Sequence, residues 1–427
     1  MHRNRDFIAS GCRMILRRFS VTILPACALA LALQACGGGS SGGGSSGQSN
    51  TPGPGTPGTT RTTAATTRTP VPATLTPTAT LTPVRPGGNG DDLLVALKSA
   101  APGSTVVVVP GSYPALILHS GDLQGPVTLL ADITTSSEVA GAVTINAVDA
   151  NQRATAAAIS LDGVTGLTID GITAQGGKEE SILVLNSPDT VIRNCIDRDS
   201  QGDGIFVQSS AGTVLFDNLT YRNTGAGIRV YGSSNVQVVN NTIYGNRGIG
   251  LFIGTASDPS SGVVVENNII NTNLGVGIEV ESGNDATGDY NLNTDGYAGE
   301  ASAGAHDIAA DPLFVSGATG NFHLEPQLDD CTSGSPAINA GNPETSADFI
   351  AILQERTTQE DQKLDCVGSG CCTTLTASPT PGIVDLQPGE VDLGYHYAAP
   401  PPTPTPKPRT PAKTKTPTRT PTRTPTL

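Results

Sequence analysis

Isoleucine or leucine recurs on one ruler through the middle of the chain, at Ile159, Ile182, Ile205, Ile228, Leu251 and Ile278, in four steps of 23 residues and one of 27. A period in that range marks a stacked repeat fold, because one repeat cannot bury its apolar side alone. Gly202, Gly225, Gly248 and Gly275 stand three residues before the last four members, and Ser200, Asn223, Asn246 and Asn273 stand five before. The longer step contains Ser257-Asp258-Pro259-Ser260, which reads as a turn insertion that leaves the register intact.

Within one coil, Ile205 and Val207 alternate with Phe206 and Gln208, a turn follows at Ser209 to Gly212, and Val214, Phe216 and the Leu219 region continue as extended segments. Period-two alternation punctuated by glycine predicts short strands. Stacked from coil to coil, these strands bury the isoleucine column with its partners Val184, Val207, Val230, Ile253 and Val280. The glycines are expected where the chain bends into each strand, where a positive φ costs glycine nothing. Asp170, Asn194, Asp217, Asn241 and Asn268 form a second polar column, read as a structural ladder at a turn. Leu93, Leu94 and Leu97 recur at helical spacing before Pro102-Gly103, which predicts a helix capping the first coil.

The ends differ in kind. Residues 1–35 hold Arg17-Arg18 and an apolar run from Val21 to Leu33, too short to span a bilayer and suited to a secretory signal. Leu33-Gln34-Ala35-Cys36 resembles the bacterial lipobox, which implies lipid on Cys36, and Gly37 after it favours the outer membrane. Residues 36–88 are a Gly/Ser-rich, then Thr/Pro-rich tether, and residues 398–427 a basic Thr/Pro tail expected to be disordered. Between them, residues 89–300 are assigned to the solenoid and 301–397 to closing coils. Residues 89–397 hold 37 acids against 10 bases, a balance that repels nucleic acid. It also repels polyuronates unless a cation bridges them. Cys331, Cys366, Cys371 and Cys372 cluster late in an exported chain and read as two disulfides, while Cys195 reads as a buried thiol.

The capping helix, the valine run 106–109, Pro110-Gly111-Ser112-Tyr113 and the coils resemble right-handed parallel β-helix proteins of the pectin-lyase-like superfamily. Asp289-Tyr290-Asn291-Leu292, Asp311-Pro312-Leu313-Phe314, Ser335 to Gly341 and Val391 to Tyr395 look like the closing segment of bacterial surface members. The resemblance implies an all-β right-handed parallel β-helix solenoid. It does not fix activity, because lyases, hydrolases, epimerases and adhesins share that scaffold.

Stacking by 23 places Leu183, Phe206, Arg229, Phe252 and Glu279 in one outward column, and Leu185, Gln208, Tyr231, Gly254 and Glu281 in the next. Phe206, Tyr231, Phe252, Glu279 and Glu281 are the candidate sugar-binding residues, since aromatic faces stack on pyranose rings and charged groups fix hydroxyls. In the preceding turn Glu180 stacks over Asp203, and Asp199 stacks against Arg222, with Lys178 nearby. Two carboxylates at strand spacing share a proton or hold a cation. Glu180, Asp199 and Asp203 are therefore the candidate Ca²⁺ ligands. The resemblance implies that Arg229, Arg222 or Lys178 would be the base of a lyase.

Asn293-Thr294-Asp295-Gly296 resembles the first polygalacturonase motif, but the later elements of that family are absent. The sequence thus points to a lipid-anchored surface β-helix that recognises extracellular or envelope polysaccharide. A Ca²⁺-assisted polysaccharide lyase and a non-catalytic stalk are the alternatives.

Overall fold

A computed structural model describes residues 84–85, 92–132, 143–149, 151–255, 257–316, 321–325, 334–356 and 391–394. Three parallel sheets of eight strands each make up the body, and each turn of the chain contributes one strand to each sheet. The first sheet begins at Ser104–Val108 and ends at Ala286–Asp289. The second runs from Gly111–Tyr113 to Leu292–Asn293, and the third from Leu116–His119 to Tyr297–Gly299. Eight rungs result, numbered here by their third-sheet strands, so that Ile205–Gln208 is rung four and Ile228–Tyr231 rung five.

The ruler is the register of the third sheet. Ile159 pairs with Ile182, then Ile205, Ile228, Leu251 and Ile278 in turn, and Leu161, Val184, Val207, Val230, Ile253 and Val280 pair alongside. Both columns are buried in one continuous core. Each such side chain contributes about 1.5–3 kcal/mol by leaving water. The helix Asp92–Ser99 closes the N-terminal end with Leu93 and Leu97 buried, as its spacing predicts.

Three polar ladders hold the three corners. Between the first and second sheets, Asn241, Asn268 and Asn291 each accept the backbone N–H and side-chain amide of the rung before, at 2.9–3.1 Å, and Asn218 begins the run by accepting the Cys195 N–H at 3.0 Å. Between the second and third sheets, Asn246 and Asn273 likewise accept both groups, Asn223 accepts the N–H and hydroxyl of Ser200, and Asp295 ends the run. Between the third and first sheets the ladder is built of hydroxyls, Ser187, Ser210, Ser233 and Ser260, ending on Asn284. Such ladders satisfy corner backbone groups that burial would otherwise leave unpaired.

Two sequence expectations change. The second polar column mixes two neighbouring positions: Asn194 and Asp217 align with Asn240 and Asn267, all four with φ of 53–58°, whereas Asn241 and Asn268 belong to the ladder. The double asparagines Asn240-Asn241 and Asn267-Asn268 hide the one-residue offset. The glycines at 202, 225, 248 and 275 are not among the positive-φ residues. A Cβ on Gly225, Gly248 or Gly275 would lie 2.6–2.9 Å from backbone of the rung before, so close stacking, not φ, excludes a side chain there.

The residues read as closing coils pack outside the rod. Phe349, on the helix Ala347–Arg356, stacks on Phe216 with ring centres 4.3 Å apart, and Ile352, Leu353 and Val391 cover the first sheet beside it. Phe314 and Phe322, from an antiparallel pair, pack on Tyr221 and Tyr244 of the second sheet. Further along, Leu324, Ala337, Ile338 and Leu393 cover Ile269 and Leu292. The expectation of disulfides is also corrected. Among the described residues there is none, and the cysteine there, Cys195, is a buried free thiol pushed up to about 12 by burial. Cys331, Cys366, Cys371 and Cys372 lie outside the described residues.

One interior residue runs against the pattern. In Ile196–Arg198, Ile196 faces outward onto the Tyr221 and Phe322 cluster, and Asp197 points into the rod, fully buried. Its Oδ1 accepts from Asn223 Nδ2 at 3.2 Å, and its Oδ2 has no hydrogen-bond partner. Burial holds the carboxyl well above the usual carboxylate range, so the folded protein keeps a proton that the unfolded chain releases at about pH 3.9. Its contribution is complete below that unfolded value and is lost as pH rises toward the folded one. Asp197→Asn should therefore match the parent in urea midpoint at pH 3 and exceed it increasingly toward pH 8. A constant difference across that range would contradict the buried proton.

Candidate functional site

Among the described residues, closing segments cover the outer faces of the first and second sheets and none covers the third. Its outward columns stack as the 23-residue spacing predicts: Leu183, Phe206, Arg229, Phe252, Glu279 in one, and Leu185, Gln208, Tyr231 in the next. Arg229 is the centre. Its Nε and Nη2 donate to the two oxygens of Asp203, the latter at 3.0 Å, and its Nη1 donates to the Tyr231 hydroxyl at 2.6 Å. The guanidinium carbon lies 5.1 Å from the Phe252 ring centre and 5.4 Å from that of Tyr231. Edge contacts of 5.3 Å to Phe206 and 5.7 Å to Phe252 hold the Tyr231 ring.

Asp203 belongs to the turn leading into rung four. Its Oδ1 also accepts the Ala226 N–H at 2.6 Å, which ties that turn to the next, and Gly225 makes room, since a Cβ there would lie 2.3 Å from the same oxygen. One rung below, Glu180 aligns with Asp203. Burial, then Glu179 and then Asp203, push the Glu180 carboxyl up to about 7, and its buried Oε2 has no hydrogen-bond partner. Two acids one rung apart, about 4.8 Å along the rod, thus sit in different surroundings: Asp203 is paired with a guanidinium, and Glu180 is left by burial without a partner for Oε2.

The nominated residues divide. Phe206, Arg229, Tyr231, Glu180 and Asp203 converge. Phe252 retains only 7% exposure beneath Arg229 and Tyr231, so it supports them and has no free face for a sugar. Glu279 and Glu281 follow on rung seven, half-buried. Asp199 and Arg222 sit at the corner, bonded to each other at 2.8 and 2.9 Å, with Arg222 over the Tyr221 ring. Lys178 is exposed on the turn that carries Glu180. Cys36 lies outside the described residues.

The three acids do not fit a Ca²⁺ site. Arg222 engages both oxygens of Asp199, and Arg229 both oxygens of Asp203. Neither arginine fits the role of base. Despite the opposing effect of burial, bonds to Asp203 and Tyr231 raise Arg229 further above its ordinary value, and the bond to Asp199 raises Arg222. Asp295, of the polygalacturonase-like quartet, accepts from Thr272 and Asn273 backbone N–H groups and the Asn273 amide, a corner cap. Sequence reading missed the Arg229 fork. The signal is present in the numbering, since Asp203 and Arg229 are 26 residues apart, one repeat plus three.

Residues 152–308 match the family described as "Right handed beta helix region". No curated protein sequence is close enough to the chain to count as a relative. Solved structures similar to it include pectate lyase Pel9A, at 12% identity over 59% of this chain and 86% of that one, with a TM-score of 0.36. A pectin methylesterase from Aspergillus niger shares 18% identity over 51% of this chain and 78% of its own, with a TM-score of 0.35. An alginate lyase from Paenibacillus sp. shares 14% over 50% and 74%, with a TM-score of 0.32.

Proposed function

We propose that the open face of the third sheet binds an extracellular or envelope polysaccharide. The observation that carries this reading is the contrast between faces: two are sheathed by the chain's own closing segments, and the third holds a preformed aromatic and arginine cluster. Phe206 and Tyr231 offer ring surface, and the Asp203–Tyr231 clamp leaves Arg229 two N–H groups for a sugar hydroxyl. A glycan array probed with the purified full-length chain tests it. The parent should be retained on at least one glycan, and Tyr231→Ala should lose on the order of tenfold in affinity without loss of fold. Retention on none would leave the rod as a stalk.

One observation favours catalysis as a second reading. Glu180, its carboxyl pushed up to about 7 beside the Asp203–Arg229 ion pair, is the proton carrier that acid/base chemistry on a glycosidic or uronate centre requires. It uses Glu180 as the proton carrier, with Arg229 fixing the sugar. Product release from a retained glycan, abolished in Glu180→Gln with binding intact, separates this reading from binding alone.

The place of action in this account is the cell envelope, through export and a lipid on Cys36. No helix among the described residues is long and apolar enough to cross a membrane. Cys36→Ser should move the protein from the detergent phase to the aqueous phase on Triton X-114 partition. Unchanged partition would exclude the anchor.

A further inference from the structure

The charge of the open face narrows the ligand, on the reading that this face binds a glycan. Three positive side chains border it. Asp203 and Tyr231 occupy three of the N–H groups of Arg229, so its charge is matched before any ligand arrives. Lys178 and Arg247 are exposed on the turn edge, the former beside Glu179. On the face itself, Glu279 and Glu281 project two residues apart on rung seven, about 7 Å along the strand, and neither has an ion-pair partner among the described residues. From Phe206 on rung four to Glu279 on rung seven is three rung steps, about 14 Å along the rod. A chain laid along the axis would therefore meet ring surface first and unmatched carboxylate last. A uronate carboxylate at that end would be repelled. A protonated amine at that end would be attracted by both carboxylates.

We propose that the open face selects a glycan carrying protonated amines, of the polyglucosamine class, over neutral and uronate polymers. Glu279 and Glu281 are the specificity-determining residues, and Phe206, Arg229 and Tyr231 hold the sugar ring. The amine is the feature that is read, so acetylating it should abolish the preference while leaving the ring contacts.

Calorimetry at pH 6 with the purified full-length chain and four probes tests this: a glucosamine hexamer, an N-acetylglucosamine hexamer, a galacturonate hexamer and a lysine hexamer. The glucosamine hexamer should bind on the order of tenfold more tightly than its acetylated form, since two exposed charge pairs are worth about that much. The galacturonate hexamer should bind weakest. Glu279→Gln with Glu281→Gln should bring the first two affinities together, and 0.5 M salt should narrow the same gap. Equal or tighter binding of the acetylated or galacturonate hexamer would overturn the charge selection and leave glycan recognition standing. A lysine hexamer binding as well as the glucosamine one would overturn it by showing attraction without sugar recognition, and so would a preference that survives the double substitution. Failure of all three sugars would overturn this proposal, and the glycan array then decides whether the glycan reading falls with it.

Discussion

Asn241→Ala should lower the unfolding free energy by about 3–5 kcal/mol, a shift in midpoint of roughly 6–15 °C for a domain of this size. Asn241 is fully buried in the middle of its ladder. Its side-chain amide donates to Leu215 O at 2.9 Å, Val239 O at 3.1 Å and Asn268 Oδ1 at 3.1 Å, and its Oδ1 accepts from Asn218 N at 3.0 Å. Alanine leaves at least one backbone carbonyl and one backbone N–H without partners in a space too small to hydrate well. Each costs about 1–3 kcal/mol. Asn271→Ala is the control, because Asn271 is only half-buried at a strand end, its amide bond to the Thr294 hydroxyl is open to solvent, and its loss should cost less than about 0.5 kcal/mol. Urea denaturation of both variants checks the prediction, and equal effects would mean that the ladders are decoration on a core that holds without them.

The second large effect is at Arg229. Arg229→Ala should weaken retained glycan by about 30-fold or more, as expected for a central arginine anchor, and destabilise the rod by about 2 kcal/mol. The stability figure is set below that of a fully buried pair because the Arg229 side chain is 24% exposed and that of Asp203 11%. Lysine at the same site keeps the charge but cannot fork onto two carboxylate oxygens and a phenol together, so Arg229→Lys should recover little of the affinity. The variant also reports on Glu180. Asp203 raises the Glu180 carboxyl and Arg229 lowers it, so Arg229→Ala should move its midpoint above about 7 and Asp203→Asn should move it below. Carboxyl-resolved NMR titration reads both signs. A Glu180 midpoint unmoved by either substitution would show that the two acids do not share one site.

The sequence carried the architecture because a solenoid writes its tertiary contacts as a period. Ile205 meets Ile228 because they are 23 residues apart, and the outward neighbours Phe206, Arg229 and Phe252 follow from the same arithmetic. What it concealed has physical reasons. The serine ladder at Ser187, Ser210, Ser233 and Ser260 uses a residue common in every loop, so nothing marks it until the corner backbone is seen to need acceptors. Asp197 is hidden because alternation in Ile-Asp-Arg assigns the isoleucine to the core, whereas the closing segment supplies a second apolar layer outside for Ile196. The burial of Phe252 depends on Arg229 swinging over it, a choice of rotamer that no spacing encodes. Which sheet stays open depends on where residues far along the chain, such as Phe349 and Phe322, come to rest on the rod.

Hydroxyl-radical footprinting of the full-length chain, with and without an oligosaccharide retained on the array, tests most directly that the open face is the recognition surface. The glycan should reduce labelling of Leu183, Phe206 and Tyr231 while Val95, 59% exposed on the capping helix, stays unchanged. Labelling of those three residues that does not change while protection appears on the closing segments over the other two sheets would contradict the account.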